Sequence, residues 1–151
     1  MALKFKDAAG VLRTITKLSV RDAGSVTRSI RSLKVKDGAT LRTVATFILP
    51  LTVSISPSGG VFGAVSSSVG ATVTTNAATA TPAGGTAPYT YSWVRLSGFG
   101  AANTATSAVT TFSEFVQPSI VKTGVFRVTV TDAASQTATA TVNATFENYG
   151  D

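Results

Sequence analysis

The chain contains no cysteine and no histidine. The first absence excludes a disulfide framework and a thiolate metal site, and the second removes the commonest general base and the commonest metal ligand. Acids are also scarce, with seven Asp and Glu against thirteen Lys and Arg in 151 residues. No pair of them suggests an acid–base couple, and Ser113-Glu114 has no histidine partner. The glycine-rich stretches "SGGVFG" at 58–63 and "GGTAPY" at 84–89 lack the lysine and the following helix that a phosphate-cradling loop needs. An enzyme is therefore not expected, and no cofactor or metal is implied.

Long apolar runs are missing as well. The longest, "FILPL" at 47–51, is interrupted by proline and is far too short to span a bilayer. The opening "MALKFKDAAG" alternates charge with hydrophobe where a secretory leader would need an apolar stretch of about seven residues or more. A soluble protein without membrane insertion is expected, exported, if at all, by a route the sequence does not display.

What the chain has is Ala, Thr, Ser, Val and Gly, with 44% hydrophobic and only 13% charged residues. β-Branched side chains fit a pleated surface, so this mixture suits strands. The charge is unevenly placed. Residues 1–46 hold ten bases against three acids, net +7, whereas residues 47–151 hold three bases against four acids, net −1. This break near Pro50 predicts two modules, 1–49 and 50–151.

The first module is a threefold repeat. "LKFKDAAGVLRTITK" from 3, "LSVRDAGSVTRSIRS" from 18 and "LKVKDGATLRTVATF" from 33 align Leu3, Leu18 and Leu33, then Phe5, Val20 and Val35, then Asp7, Asp22 and Asp37. The third copy is one residue shorter in its turn, which aligns Arg13, Arg28 and Arg42 and, after them, Ile15, Ile30 and Val44. Each unit reads strand, Asp/Gly-rich turn, strand. Parity slips near Thr16-Lys17 and Arg31-Ser32 predict bends or bulges, giving a bent meander whose edges await stacking partners. Asp7, Asp22 and Asp37 are assigned to turn capping in preference to calcium. The basic stripe includes Lys4, Lys6, Arg13, Arg21, Arg28, Lys34, Lys36 and Arg42. It is read as a subunit-facing attachment interface in preference to a nucleic-acid site, since stacking aromatics are absent from it.

The second module reads as a β-sandwich with strands at 51–56, 69–81, 89–96, 104–112, 124–132 and 135–146, and with turns at 56–60, 81–89 and 97–100. In "GVFRVTVTDAASQTATATV", residues 124–142, Phe126, Val128 and Val130 fall on one parity and Arg127, Thr129 and Thr131 on the other. Beyond the turn, Ala138, Ala140 and Val142 oppose Thr137, Thr139 and Thr141, so the hairpin has one dry face. Tyr89, Tyr91 and Trp93 share a face, which places Trp93 in the core with Phe126, Val128 and Val130. The rival reading of those three rings is a sugar-binding platform.

"GTAPYTYSWV" followed by that hairpin resembles the immunoglobulin-like domains, of the bacterial and PKD-like sort, that are appended to structural proteins of tailed bacteriophages. The units "VRDAGSVTRSI" and "VKDGATLRTV" are similar to short repeats of phage virion proteins, particularly those of tails. The resemblance implies an all-β chain, a bent β-hairpin repeat module followed by an immunoglobulin-like sandwich. It implies a non-enzymatic virion component, assembled in the host cytoplasm, that docks on the tail tip or fibre region through its repeats. The partners implied are other virion proteins and further copies of the chain, with a weak host-surface glycan contact. A capsid decoration protein is the alternative within this class, and a bacterial surface adhesin or carbohydrate-binding module the alternative outside it. The chain departs from antibody domains in lacking the cysteine pair: Val128 stands at the second cysteine's place, and Phe126 at the tyrosine-corner position without the hydroxyl.

Overall fold

A computed structural model describes residues 49–150 and, before them, the strand backbones at 3–6, 12–15, 19–21, 27–29, 32–37 and 40–46. The chain divides into two compact units, Met1–Leu49 and Pro50–Asp151. Among the described residues every regular element is a strand, in keeping with the wealth of β-branched Thr and Val, which suit a pleated surface.

In the first unit each repeat forms one antiparallel pair. β1 (Leu3–Lys6) pairs with β2 (Leu12–Ile15), β3 (Ser19–Arg21) with β4 (Thr27–Ser29), and β5 (Ser32–Asp37) with β6 (Thr40–Thr46). The register sets Arg13 opposite Phe5, Arg28 opposite Val20 and Arg42 opposite Val35, so the sequence repeat is a repeat of register. A register shift falls between Leu33 and Lys34, just after the Arg31-Ser32 site of an expected bend. The bend expected at Thr16-Lys17 lies outside the described residues, as do the turn residues Asp7 and Asp22. Asp37 closes β5 opposite Thr40.

The second unit is an immunoglobulin-like β-sandwich. Its strands are β7 (Thr52–Ser56), β8 (Val61–Val65), β9 (Ala71–Thr74), β10 (Ala78–Ala83), β11 (Thr90–Gly98), β12 (Ala101–Ala102), β13 (Val109–Thr110), β14 (Phe112–Val116), β15 (Ile120–Thr131) and β16 (Thr137–Asn148). One layer is the sheet β11-β15-β16-β8, and the other is built from β13-β10-β7 and β12-β14-β9. The opening strand switches layers: β7 pairs antiparallel with β10, and β8 then pairs parallel with β16. The central hairpin runs from Thr131 opposite Thr137 down to Ile120 opposite Asn148. Large inward residues meet small ones there: Phe126 faces Val142, Val128 faces Ala140 and Val130 faces Ala138. Phe126, Val128 and Val130 are fully buried, and Trp93 is 4% exposed. Burying each such side chain is worth roughly 1.5–3 kcal/mol. Among the described residues no buried side-chain polar atom lacks a partner.

Several expected strand boundaries need correction. The span 69–81 is two strands, because the backbone breaks at Thr75 and Asn76, whose N–H groups donate to Phe112 O and Phe62 O, both at 2.9 Å. The span 104–112 is mostly loop. Its Ala105 and Ala108 carbonyls accept from Trp93 N and Ala80 N, both at 2.8 Å, and so cover strand edges without being strands themselves. β15 begins at Ile120, four residues ahead of expectation, while β16 starts and stops two residues late. β8 was hidden by its glycines. Gly63 is required there, because a Cβ would lie within van der Waals overlap of the Thr74 carbonyl.

Candidate functional site

The sites expected from the sequence fall into two groups. The basic residues of the attachment module all stand on strands: Lys4 and Lys6 on β1, Arg13 on β2, Arg21 on β3, Arg28 on β4, Lys34 and Lys36 on β5, and Arg42 on β6. Their side chains lie outside the described residues. The core residues do come together. Trp93 donates from Nε1 to Ser107 O at 2.9 Å and meets Phe112 edge to face, with ring centroids 5.7 Å apart. Tyr89 and Tyr91 are half-buried against the same core, and the Tyr89 hydroxyl donates to Gly84 O at 2.6 Å. The three rings therefore do not make an exposed platform.

The sandwich has two contrasting ends. At one end, the first residues of β7 pair with the end of β10, and the β15–β16 turn closes over Asp132. Asp132 is 5% exposed. Its Oδ2 accepts from Thr86 N at 2.7 Å and from Gln136 Nε2 at 3.2 Å, and its Oδ1 from Ala134 N at 2.9 Å and Gln136 N at 2.7 Å. Burial alone would raise its pKa, but the backbone donors of Thr86, Gln136 and Ala134, with the Gln136 amide, outweigh burial and hold it below the ordinary value. Ser135 completes the turn with φ of 63°, a conformation few non-glycine residues adopt. At the other end, buried Asn148 ties three segments to β16. Its Nδ2 donates to Val69 O and Val116 O, and its Oδ1 accepts from Ser67 N and Gly150 N, all within 3.1–3.3 Å.

Between the ends, the layers part beside β11 to leave a cleft of about 360 Å³. Trp93, Arg95 and Phe126 line one side, and Gly100, Ala101, Ala102 and Ala105 the other. The opening exists because the second wall carries nothing larger than a methyl group. Gly100 has φ of 92°, and a Cβ there would sit 2.6 Å from Phe146 Cζ, so the wall is held close to the core by a residue only glycine can fill. Arg95 Nη1 donates to Gly100 O at 2.8 Å, and Gly100 N donates to Glu114 Oε2 at 2.9 Å. Glu114 Oε1 is paired with Lys122 Nζ at 2.6 Å. Lys122 is otherwise occupied by Phe115 O and by the Phe99 ring, 4.8 Å from its centroid. Arg95 thus stands without an acid partner among the described residues. Sequence reasoning missed it, although a signal was available: Arg95 has the parity of Trp93, which puts a charge on the inward face of a strand.

Among the described residues no group of three or more acids could hold a metal ion, and no helix is long and apolar enough to cross a membrane. No protein-family model matches the chain, and no curated protein matches it. Among solved structures, a conjugative transposon lipoprotein from Bacteroides eggerthii DSM 20697 is similar at 17% identity, with a TM-score of 0.34, over 63% of this chain and 96% of that one.

Proposed function

We propose that the chain is a non-enzymatic structural component of a phage particle, attached through its basic repeats to the tail tip or fibre region and projecting the sandwich for surface adhesion. The observation that carries this reading is the threefold recurrence of an arginine at one register position, Arg13, Arg28 and Arg42, in consecutive hairpins of the first of the chain's two compact units. One base used three times in the same local setting suits three equivalent contacts on neighbouring subunits. Arginine suits them best, because its planar fork gives bidentate hydrogen bonds to a carboxylate or to carbonyls. The sandwich supplies a body that needs no staple, with a Thr-rich outer face on β15 and β16.

Mass spectrometry of purified particles of the phage that encodes the chain tests the reading directly. Stoichiometric presence supports it, and absence from the particle overturns it in favour of a cell-surface adhesin. Charge reversal of Arg13, Arg28 and Arg42 to Glu should abolish incorporation while circular dichroism of the variant keeps its strand signal. Intact incorporation would eliminate arginine-based docking.

A further inference from the structure

The register of the first unit sorts its charges in a way that the basic stripe of the sequence conceals. Residues directly opposite in an antiparallel ladder share a face, and the face alternates at every step along a strand. In the first hairpin Leu3, Phe5, Arg13 and Ile15 therefore stand on one face, and Lys4, Lys6, Leu12 and Thr14 on the other. The second hairpin sets Val20 with Arg28, against Arg21 and Thr27. The third sets Val35 with Arg42, against Lys34 and Lys36. The repeated arginine thus always shares its face with apolar residues, while Lys4, Lys6, Arg21, Lys34 and Lys36 occupy the opposite faces. One stripe in the sequence is two surfaces of different chemistry.

The arginine face also carries an acid. Asp37, opposite Thr40, lies two residues along β5 from Val35 and so falls on the face of Arg42. The sequence repeat gives Asp7 and Asp22 the equivalent positions in their units. The lysine faces, by contrast, have no acid among their described positions. They repel their own kind, whereas a surface with one base and one acid per repeat complements itself. A two-stranded hairpin is marginal in water, so its apolar face needs a cover. A surface repeated three times is matched by a partner of the same period with acid where it has base, and the chain itself is such a partner. We propose that the arginine faces of the first unit dock on those of a second copy of the chain, each arginine set against an aspartate of the partner's repeats, with the lysine faces outside the contact. A two-fold arrangement makes every such pair twice, as isologous interfaces do. Such docking ties the fold of the first unit to protein concentration, and dilute, unpaired hairpins stay marginal. The assignment rests on the reading of Arg13, Arg28 and Arg42 as subunit contacts and names the subunit, but it does not require the phage particle.

Light scattering of the full-length chain on a sizing column should give twice the monomer mass at micromolar concentration. Two variants separate contact between chains from pairing within a hairpin, where Arg42 and Asp37 hold diagonal positions of one ladder. Arg13→Glu, Arg28→Glu and Arg42→Glu together leave the face only acids, and Asp7→Arg, Asp22→Arg and Asp37→Arg together leave it only bases. Each triple variant alone should run as a monomer, its self-affinity weakened about a hundredfold or more by like charges set against each other. An equimolar mixture should recover the dimer mass, with one chain of each kind by native mass spectrometry. Lys4→Gln, Lys6→Gln, Lys34→Gln and Lys36→Gln together should leave the wild-type dimer intact. A monomeric wild type, or triple variants that stay dimeric alone, would overturn the proposal. A mixture that stays monomeric would overturn it too, since arginine and aspartate would then pair only within their own hairpins. The two readings fail separately: a monomeric chain that still enters particles sinks self-docking alone, and a dimer absent from particles sinks virion attachment alone.

Discussion

Phe112 and Phe126 stack across the two layers of the sandwich, with ring centroids 4.0 Å apart and planes 25° from parallel. Trp93 completes the trio edge-first on Phe112. With no disulfide to bridge the sheets, this aromatic contact ties the two layers together by packing. Phe112→Ala should therefore cost about 3–5 kcal/mol, and Trp93→Ala a similar amount. Either is a large share of the roughly 5–15 kcal/mol that a domain has in all. Denaturant unfolding of the variants measures this. Native tryptophan emission should also be blue-shifted and should move red on unfolding. Emission already at the water-exposed position in the folded protein would contradict a buried Trp93.

A second expectation concerns the boundary at Pro50. Residues 50–151 expressed alone should melt in one cooperative transition, because among the described residues the core assembled around Phe112 and Phe126 is made by Leu51 and residues after it. A sloping, non-cooperative melt would show that the sandwich needs the repeats. Residues 1–49 alone should fail to give such a transition, since isolated two-stranded hairpins are marginal in water.

The β15–β16 hairpin was legible residue by residue, because a strand with one dry face must alternate. Phe126, Val128 and Val130 have nowhere else to go. β8 was not legible, since Gly59, Gly60 and Gly63 read as turn punctuation and its partner β16 lies at the far end of the chain. Pairing at that separation leaves no local trace. The loop after β12 was misread for a related reason: its Thr and Ala residues have strand-like composition, but it serves β11 and β10 with single carbonyls. The cleft depends on a bulge at Arg95 and on the absence of bulk at Ala101 and Ala105, and neither is a motif. Only the inward parity of Arg95 was visible in advance.

Asp132 gives the sandwich a defined acid sensitivity. A carboxyl whose pKa is depressed in the folded state adds stability that is fully present above its unfolded value and is lost as pH falls through the folded one. The ordinary value is 3.8, so the contribution should be constant at neutral pH and decline progressively below about pH 4. Asp132→Asn keeps the shape but turns an amide N–H₂ toward N–H donors, and it should lower the melting temperature at pH 7. The gap between wild type and variant should close as pH falls below 3.8. Parallel pH profiles with a constant gap would show that the carboxylate's charge is not what the four donors recognise.

At the opposite end, Asn148 offers the sharper test, because its two halves do different work. The amide nitrogen donates to the carbonyls of Val69 and Val116, and the amide oxygen accepts from the backbone N–H groups of Ser67 and Gly150. The residue is 1% exposed and its bond to Val116 O is fully buried, so that carbonyl has no water to turn to when the amide is removed. Asn148→Ala should cost about 2–4 kcal/mol, since each buried polar group left unmatched costs roughly 1–3 kcal/mol. Asn148→Asp is nearly the same size, yet it should be at least as damaging at pH 7. It keeps the acceptor toward Ser67 and Gly150 but sets a second carboxylate oxygen against two carbonyl oxygens in a buried site. That repulsion raises the new carboxyl's pKa, and protonation restores a donor. Asn148→Asp should therefore gain stability relative to Asn148→Ala as pH is lowered from 7 to 5, measured by urea unfolding at each pH. If Asn148→Asp matches wild type at pH 7, the two carbonyls are not held by the amide nitrogen, and the knot at this end of the sandwich is made by packing alone.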